Sequence, residues 1–321
     1  MDLIFLGDYI KQRRKDLGLT QGQLCEGICD VATISRMERG EQIPHHSTVS
    51  ALLERLGTTY DQYVLLSKEE IGIVALQREI NSACVRLQQG IGTEQAEVQT
   101  KINKMIDELK RIVECRASME ISVIQQYLLS INVILRTLEG SISPHEEITI
   151  LLKAIRITAP KFDPAKISHR LFYSLEEIRL ISQLGLAYSN HGDHKKAVGI
   201  FSQLHTYVTG HNYGLAKSGG GMPLVAHNYA RELTLRKQYE DALSIAEEGR
   251  EACIEYGHYQ FFPGLLHIMA ECQHFLGNDK ESIRLYKQAY HLYQVFKNAI
   301  NCCILQEEVS KYHHIDLGFI E

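Results

Sequence analysis

LGLTQGQLCEGICDVATISRMERG, residues 17–40, decides the fold of the N-terminal part of the chain, because it carries helix start signals in close succession. Thr20 and Gln23 have the spacing of a capping box, which predicts that a helix begins there. Asp30 is suited to cap a second helix over Val31 to Glu38. The stretch therefore predicts two short helices joined by a tight turn, which is a helix-turn-helix.

Helices as short as these are stable only when their apolar faces pack against other helices. We expect the flanking helices of a five-helix bundle at Leu6 to Leu17, Thr48 to Leu56 and Thr59 to Leu66. Arg14 and Glu38 are predicted to form an ion pair inside this bundle, so that Arg14 is not available to a ligand.

The outer face of the second helix is then free for DNA, since a recognition helix places its N-terminal residues at the base edges of the major groove. Val31 and Ala32 are suited to contact thymine methyl groups, and Arg36 to make a two-pronged contact with guanine. The alternative for Arg36 is an ordinary solvated arginine. Contacts to the phosphates, which set register rather than sequence, are predicted from Gln21, Thr33 and Arg39.

The charge of this segment limits the DNA interpretation. Residues 1–66 carry seven Lys and Arg against nine Asp and Glu, whereas nucleic-acid binders usually have a basic face. A local basic patch is supplied by Lys11, Arg13, Arg14 and Lys15. We therefore expect binding that depends on dimerisation and falls steeply with salt.

Length and composition indicate a globular protein of two domains, with 321 residues, 45% hydrophobic and 23% charged. No apolar run approaches the roughly 18 residues of a membrane span, and the N-terminus lacks the features of a signal peptide. Eight unevenly spaced cysteines favour a reducing compartment with free thiols. We expect a cytoplasmic protein without membrane contact.

Beyond residue 66 the apolar spacing remains helical and predicts no strands. One unit has the spacing of a tetratricopeptide repeat, a helix pair in which small residues permit close approach: Leu184, Gly185, Tyr188, Gly192, Ala197 and Phe201. The unit recurs 45 residues later at Ala242 and after another 40 at Ser282. The predicted fold is all-α, with the N-terminal bundle followed by a right-handed superhelix of about five repeat-like helix hairpins.

This pattern divides the chain into three parts. Residues 1–66 are predicted to form the helix-turn-helix domain, and residues 67–87 a connecting helix that is also the first helix of the array. Residues 88–321 are predicted to form the repeat domain with its C-terminal capping helix.

The first helix of each pair lines the concave side of such an array, where polar side chains can bind an extended peptide. In the register of Leu184 and Gly185, the peptide-binding candidates are Arg179, Asn190, His227, Asn228, Arg231, His267, Glu271 and His274. Ser182, Ser189 and Thr234 are also expected to be exposed on this side. The alternative is a merely solvated face.

Residues 20–40 resemble the DNA-binding segment of the XRE type, and their spacing is closest to the PlcR, PrgX and Rgg group. The resemblance is carried by Gln21, Leu24, Glu26, Ile28, Cys29, Ser35, Arg36, Glu38 and Gly40. With the repeats, nearly the whole chain resembles the peptide-responsive RRNPP regulators of Gram-positive bacteria. The resemblance implies a homodimeric quorum-sensing regulator whose repeat domain binds a short signalling peptide and changes its grip on double-stranded promoter DNA.

Other functions remain open at this point. A helix-turn-helix repressor whose repeat domain only dimerises or docks a protein partner would have no affinity for short peptides. An antagonist of response regulators fits poorly, because such relatives usually lack the DNA-binding domain. The sequence has no hydrolase or kinase signature, and we expect neither an enzyme nor a cofactor.

Two further features of the sequence resemble ligand sites. The glycine-rich LAKSGGG of residues 215–221 lacks the ending of a phosphate-binding loop and follows no strand. Possible metal ligands also occur in small groups: Cys25 with Cys29, His191 with His194, and Cys302, Cys303, His313 and His314. None has a second pair at structural-zinc spacing, and the sequence alone predicts no metal.

Overall fold

The computed structural model describes residues 3–57, 68–88, 95–114, 121–167, 173–210 and 220–317. Within these ranges the chain forms fifteen α-helices and no strand. The prediction of an all-α fold is confirmed.

The first four helices form the N-terminal bundle: α1 (Leu3–Asp16), α2 (Gln21–Cys25), α3 (Val31–Glu38) and α4 (His46–Arg55). Their apolar residues share one core, in which Ile10, Leu24, Ile34 and Leu52 are fully buried. Helices α1 and α4 begin a few residues earlier than predicted. The predicted fifth helix and the predicted domain boundary at residue 66 lie outside the described residues.

The predicted boundary signals are confirmed. The hydroxyl of Thr20 accepts a hydrogen bond from the amide of Gln23, and the side chain of Gln23 accepts one from the amide of Thr20. The carboxylate of Asp30 accepts a 2.6 Å hydrogen bond from the amide of Thr33. Each short helix therefore begins where its capping residue satisfies an amide that the helix itself leaves unpaired.

The predicted ion pair is also confirmed. Nε and Nη2 of Arg14 donate to the two carboxylate oxygens of Glu38 at 2.6 and 2.9 Å, and Nη1 donates to the carbonyl of Leu19. The pair is buried, and its hydrogen bonds hold the pKa of Glu38 below the usual range despite that burial. Arg14 thus fastens α1 to α3 and to the turn before α2.

The following helices form five consecutive pairs: α5 (Lys68–Gln88) with α6 (Gln95–Glu114), α7 (Ser122–Leu138) with α8 (Pro144–Thr158), α9 (Leu175–Asn190) with α10 (His194–Gly210), α11 (Gly221–Leu235) with α12 (Tyr239–Tyr256), and α13 (Phe262–Phe275) with α14 (Asp279–Val295). A last helix, α15 (Ala299–His313), packs on α14. Among the first helices, α11 also packs on α9 and on α13. This layering is typical of stacked helix hairpins.

Small residues allow the helices of this array to approach closely. A Cβ atom added to Gly185 would lie 2.7 Å from the ring of Phe201, its predicted repeat partner. A Cβ atom added to Gly249 would lie 2.7 Å from the Cβ of Ala226. The repeat spacing in the sequence therefore reflects a packing requirement.

The bundle docks on the array through the turn between α2 and α3. Gly27 has a φ of +75°, and a Cβ atom there would lie 2.6 Å from the carbonyl oxygen of Thr158 and 2.7 Å from that of Ile157. These carbonyls belong to the last turn of α8. Helix α4 packs on α7 beside this contact.

We expect Gly27→Ala to lower the free energy of unfolding more than Gly18→Ala. Gly18 is the matched control, because its φ is +66° but nothing lies within 4 Å of its added Cβ atom. Both variants carry the left-handed backbone cost of about 1–2 kcal/mol. Only Gly27→Ala adds a clash at the domain junction, of about 1–3 kcal/mol. Denaturant unfolding of both variants tests this, and an equal loss would contradict the close contact.

Candidate nucleic-acid interface, domain junction and inner face

The outer side of α3 is a solvent-exposed surface, which we call the reading face and define by Val31, Ala32 and Arg36. Val31 is 48% exposed, although it is an apolar residue. Ile34 and Met37 on the opposite side are buried in the core of the bundle. The three predicted base contacts are therefore on the accessible side of the helix.

The predicted phosphate contacts at the rim are partly engaged within the protein. The side-chain amide of Gln21 donates to Glu38 at 2.9 Å and so completes the buried ion pair. The guanidinium of Arg39 donates to both carboxylate oxygens of Glu41 at 2.6 and 2.9 Å and to the hydroxyl of Ser35 at 2.7 Å. Thr33 is half-buried. Arg39 can reach a phosphate by exchanging its exposed partner, since surface ion pairs are weak.

The N-terminus of α3 carries a negative charge beside the reading face. Hydrogen bonds from Thr33 hold the pKa of Asp30 below its usual range, and the nearby charge of Arg36 acts in the same direction. Arg36 therefore faces a local carboxylate as well as solvent, which weakens the positive field that a phosphate would meet.

Sequence reasoning missed Arg55, which joins the bundle to the array. Its Nη1 donates to the carbonyls of Leu24 and Glu26 at 3.2 and 2.5 Å. Its Nη2 donates to the carbonyl of Thr158 at 2.6 Å and lies 3.3 Å from a carboxylate oxygen of Glu177. Only 5% of Arg55 is exposed. One cation thus binds the end of α2, the C-terminus of α8 and the first turn of α9.

The carboxylate on the array side of this junction is fully engaged. Glu177 accepts hydrogen bonds from the amide of Ser174 and the hydroxyl of Thr158, both at 2.7 Å. The side-chain amide of Gln126 in turn donates to the Thr158 hydroxyl at 2.6 Å. We call this network, Arg55, Glu177, Thr158 and Gln126, the junction network. A buried charge pair of this kind is costly to break from one side, because its partner is left unpaired.

A cavity of about 250 Å³ lies beside the junction network, between α4, α5, α7 and the start of α9. Glu54 lines it and accepts hydrogen bonds from the amide of Leu175 at 3.2 Å and the hydroxyl of Ser50 at 3.4 Å. Burial, together with the neighbouring carboxylates of Glu177 and Glu176, raises the pKa of Glu54 to about 7, although those hydrogen bonds act in the opposite direction. His45 and His46 also line the cavity.

We expect the stability of the folded chain to fall as the pH rises from about 4.5 to about 7 through Glu54. In this window folded Glu54 retains a proton that the unfolded chain, at the ordinary value of 4.5, has lost. Glu54→Gln should remove this contribution, so the variant should lose less stability than the wild type between pH 5 and pH 8. Denaturant unfolding at both pH values measures the difference. Glu247→Gln on an exposed face of α12 is the control, and identical pH dependence of wild type and Glu54→Gln would contradict the assignment.

The peptide-binding candidates on the first helices divide by accessibility. Arg179, Asn190 and Arg231 are exposed, and we call them the inner-face triad. Partly buried positions are His227, His267, Glu271 and His274. Burial lowers the pKa of His227 to about 4 and raises that of Glu271. His267 lies 2.6 Å from the carboxylate of Glu308.

The expectation that the remaining polar positions are exposed is wrong. Asn228 and Ser182 are buried, and the Asn228 amide donates to the Ser182 hydroxyl at 2.8 Å. Ser189 and Thr234 are buried as well, and the Ser189 hydroxyl donates to Glu232 at 2.5 Å. The reason is that α11 packs on α9 and on α13, so polar residues on those sides pair across the contact.

Arg179 belongs both to the inner-face triad and to the lining of the cavity at the domain junction. It is exposed on α9, two residues after Glu177, and it also lines the cavity at the domain junction. It lies 3.7 Å from the carboxylate of Glu176 in the first turn of the same helix. The inner face and the junction network therefore share one helix.

The comparisons with known proteins agree with the division of the chain into an N-terminal bundle and a helical array. A family model described as a helix-turn-helix domain matches residues 6–63. A search of the curated proteins finds no match. In the described part of the chain, no helix has both the length and the apolar character needed to cross a bilayer. The chain thus combines a helix-turn-helix domain with an array of helix hairpins.

Solved structures of PlcR share this whole arrangement. PlcR of Bacillus thuringiensis in complex with the peptide PapR7 and DNA is 20% identical, with a TM-score of 0.58 over 94% of this chain and 98% of that one. Apo PlcR is 15% identical, with a TM-score of 0.55 over 95% and 99%. ComR of Streptococcus vestibularis with its signalling peptide XIP is 15% identical, with a TM-score of 0.49 over 96% and 98%. The predicted resemblance is confirmed at the level of the fold by the two PlcR structures.

Proposed function

We propose that the protein is a cytoplasmic transcriptional regulator of the RRNPP type, which binds promoter DNA as a homodimer under the control of a short signalling peptide. The observation that carries the proposal is the exposed reading face of a helix-turn-helix domain docked on a repeat array. The likeness to PlcR, solved with both a peptide and DNA, supports it. The proposed binding of DNA and peptide requires no cofactor.

The reading face supplies sequence recognition. Arg36 is exposed on α3 and has the length and fork geometry for a guanine edge, while Val31 offers a methyl surface to thymine. The surrounding charge is low, because Arg14 is buried with Glu38 and Arg39 is engaged by Glu41. A dimer that places two recognition helices about 34 Å apart would compensate by doubling the contacts.

Replacing Arg36 with Ala should weaken specific DNA binding by about 5- to 150-fold, the equivalent of losing a two-pronged base contact of about 1–3 kcal/mol. The operator is first selected from random duplexes with the wild-type protein, and affinities are then measured by fluorescence anisotropy. Arg111→Ala, at an exposed position on α6, is the control for loss of positive charge. Unchanged operator affinity of Arg36→Ala would show that α3 does not read bases.

The inner-face triad is the proposed site for the peptide. Arg179 and Asn190 lie eleven residues apart on α9, which is close to three helical turns, so both project from the same side. Arg231 lies on the neighbouring first helix, α11. The two guanidinium groups favour a peptide with a carboxylate, and the Asn190 amide can both donate to and accept from a peptide backbone.

We propose that the peptide acts on DNA binding through α9. A ligand on the triad contacts the helix whose first turn holds Arg55 through Glu177. If that helix shifts, the junction network either moves with it or breaks, and the bundle changes position. The effect on DNA affinity can be no larger than the difference in peptide affinity between the two arrangements.

Arg231→Ala should weaken binding of the cognate peptide by about tenfold or more, because a charge-assisted hydrogen bond contributes about 1.5–3 kcal/mol. Calorimetry with peptides of five to ten residues encoded near the gene measures this. Arg236→Ala is the control, since Arg236 is exposed but lies at the C-terminal cap of α11.

Calorimetry also distinguishes the proposed function from the alternative one. If none of these peptides binds while the selected duplex does, the protein is a repressor whose repeat domain only dimerises or docks a protein partner. If a peptide binds and Arg231→Ala has no effect, the site lies elsewhere on the array.

A further inference from the structure

Three side chains that are distant from the reading face and the junction network converge at the end of the array. His274 lies in the last turn of α13, Asp279 in the first turn of α14, and His313 in the last turn of α15. One ligand atom from each lies within 4.8 Å of the others. The distance from Asp279 Oδ1 to Nδ1 of His274 is 3.0 Å, and to Nδ1 of His313 it is 3.6 Å.

The hydrogen bonds of His313 fix which of its nitrogens faces the cluster. The hydroxyl of Ser282 donates its one proton to the carbonyl of Ala270 at 2.8 Å. That hydroxyl can therefore only accept from Nε2 of His313, 2.9 Å away. The neutral ring then has its proton on Nε2, and the lone pair of Nδ1 faces the carboxylate of Asp279. At 3.6 Å the two acceptors are not joined by a hydrogen bond.

This arrangement has the second-shell pattern of a metal ligand. Metal-binding histidines usually donate their other ring N–H to a protein oxygen, which fixes the tautomer and orients the ring. Ser282 is fully buried and fulfils this role for His313, whose side chain is 3% exposed. Two acceptor atoms that face one another without a shared proton favour a cation between them.

The second histidine is also held in place. The ring of His274 stacks on Tyr312 with centroids 4.6 Å apart and planes at 19°. It stands nearly perpendicular to the ring of His313, at 82°. Both histidines lie at helix C-termini, where the exposed carbonyl ends of the helix favour a positive charge.

We propose that His274, Asp279 and His313 bind a divalent transition-metal ion, of which Zn²⁺ is the probe. Two imidazole nitrogens and one carboxylate oxygen are a ligand set typical of Zn²⁺ and related ions. Three protein ligands leave a fourth position for water. The ion would fasten α15 to the last helix pair. His274 would then have a role other than peptide binding.

The sequence did not indicate this site, because its ligands do not form a compact motif. The sequence groups His313 with Cys302, Cys303 and His314, whereas the structure places it beside residues 34 and 39 positions earlier in the chain. No spacing in the sequence marks Asp279 as a ligand. The site exists only because α13, α14 and α15 end or begin at one point.

The test uses the full chain, stripped with a chelator, and Zn²⁺ alone. Competition with a chromophoric chelator and elemental analysis should show one equivalent bound. Co²⁺ should give the visible absorption of a low-coordinate site with nitrogen and oxygen ligands. Zn²⁺ should also raise the thermal midpoint, because the ion binds the folded chain preferentially.

Asp279→Asn is the principal variant, because Asp279 is exposed and its replacement preserves shape. It should lower Zn²⁺ affinity at least tenfold while its thermal midpoint in metal-free buffer changes little. His274→Gln is a second ligand variant with the same expected loss. Ser282→Ala keeps all three ligands but removes the hydroxyl that positions His313 and its hydrogen bond to Ala270, and it should lower affinity by about 10- to 100-fold.

Two controls exclude other binding modes. His205→Gln removes a histidine paired with a single carboxylate, Glu248, at 3.0 Å. Cys303→Ser removes an exposed thiol near the C-terminal end of the array. Both should retain one equivalent with unchanged affinity. Absence of Zn²⁺ binding by the wild type would show that the cluster is an ordinary His–Asp ion pair. So would wild-type Zn²⁺ affinity in Asp279→Asn and in His274→Gln.

Discussion

The docking of the two parts of this protein depends on one buried guanidinium. Arg55 is the last residue of α4. Its guanidinium binds the carbonyls that end α2, a carbonyl that ends α8, and the carboxylate of Glu177. Carbonyls at a helix C-terminus are unpaired and carry partial negative charge, so a cation there satisfies both their hydrogen bonding and their field. An apolar side chain at residue 55 could fill the space but would leave these acceptors buried and unpaired. The contact of Gly27 with the same turn of α8 brings the backbones close enough for this bridge.

In the proposed function, this junction would provide a physical route between a peptide bound on α9 and the helix-turn-helix domain. A junction that relies on hydrogen bonds to charged groups has a narrow range of acceptable geometry, because such bonds weaken steeply with distance and angle. Displacement of α9 by more than a small amount would therefore break contacts to Arg55 rather than stretch them. The apolar core of the bundle does not depend on α9. In the proposed function the bundle would therefore change position as a unit, as is expected of an element with two arrangements in allostery.

The sequence predicted what depends on local interactions. The capping box of α2, the start of α3 and the close approach at Gly185 each involve residues that are near in sequence or belong to a known repeat spacing. It could not predict Arg55, whose array partners Thr158 and Glu177 are 103 and 122 residues away. It also placed Ser182 and Asn228 on the exposed side, because helical periodicity gives the faces of one helix but not which face the next helix covers. The buried hydrogen bond between these two residues is set by the packing of α9 on α11.

The same packing restricts the peptide that the proposed site could bind. Once the polar residues between α9, α11 and α13 are paired with one another, the exposed candidates are Arg179, Asn190 and Arg231. Arg179 and Asn190 are separated by eleven residues of helix, or about 16 Å at 1.5 Å per residue. An extended peptide advances about 3.3 Å per residue, so about five residues are needed to reach both. A peptide of that length laid along α9 would end beside the cavity that Arg179 and Glu54 line. The peptide terminus at that end would meet the guanidinium of Arg179 and the carboxyl group of Glu54, whose pKa is about 7. The affinity for a charged terminus would therefore depend on pH.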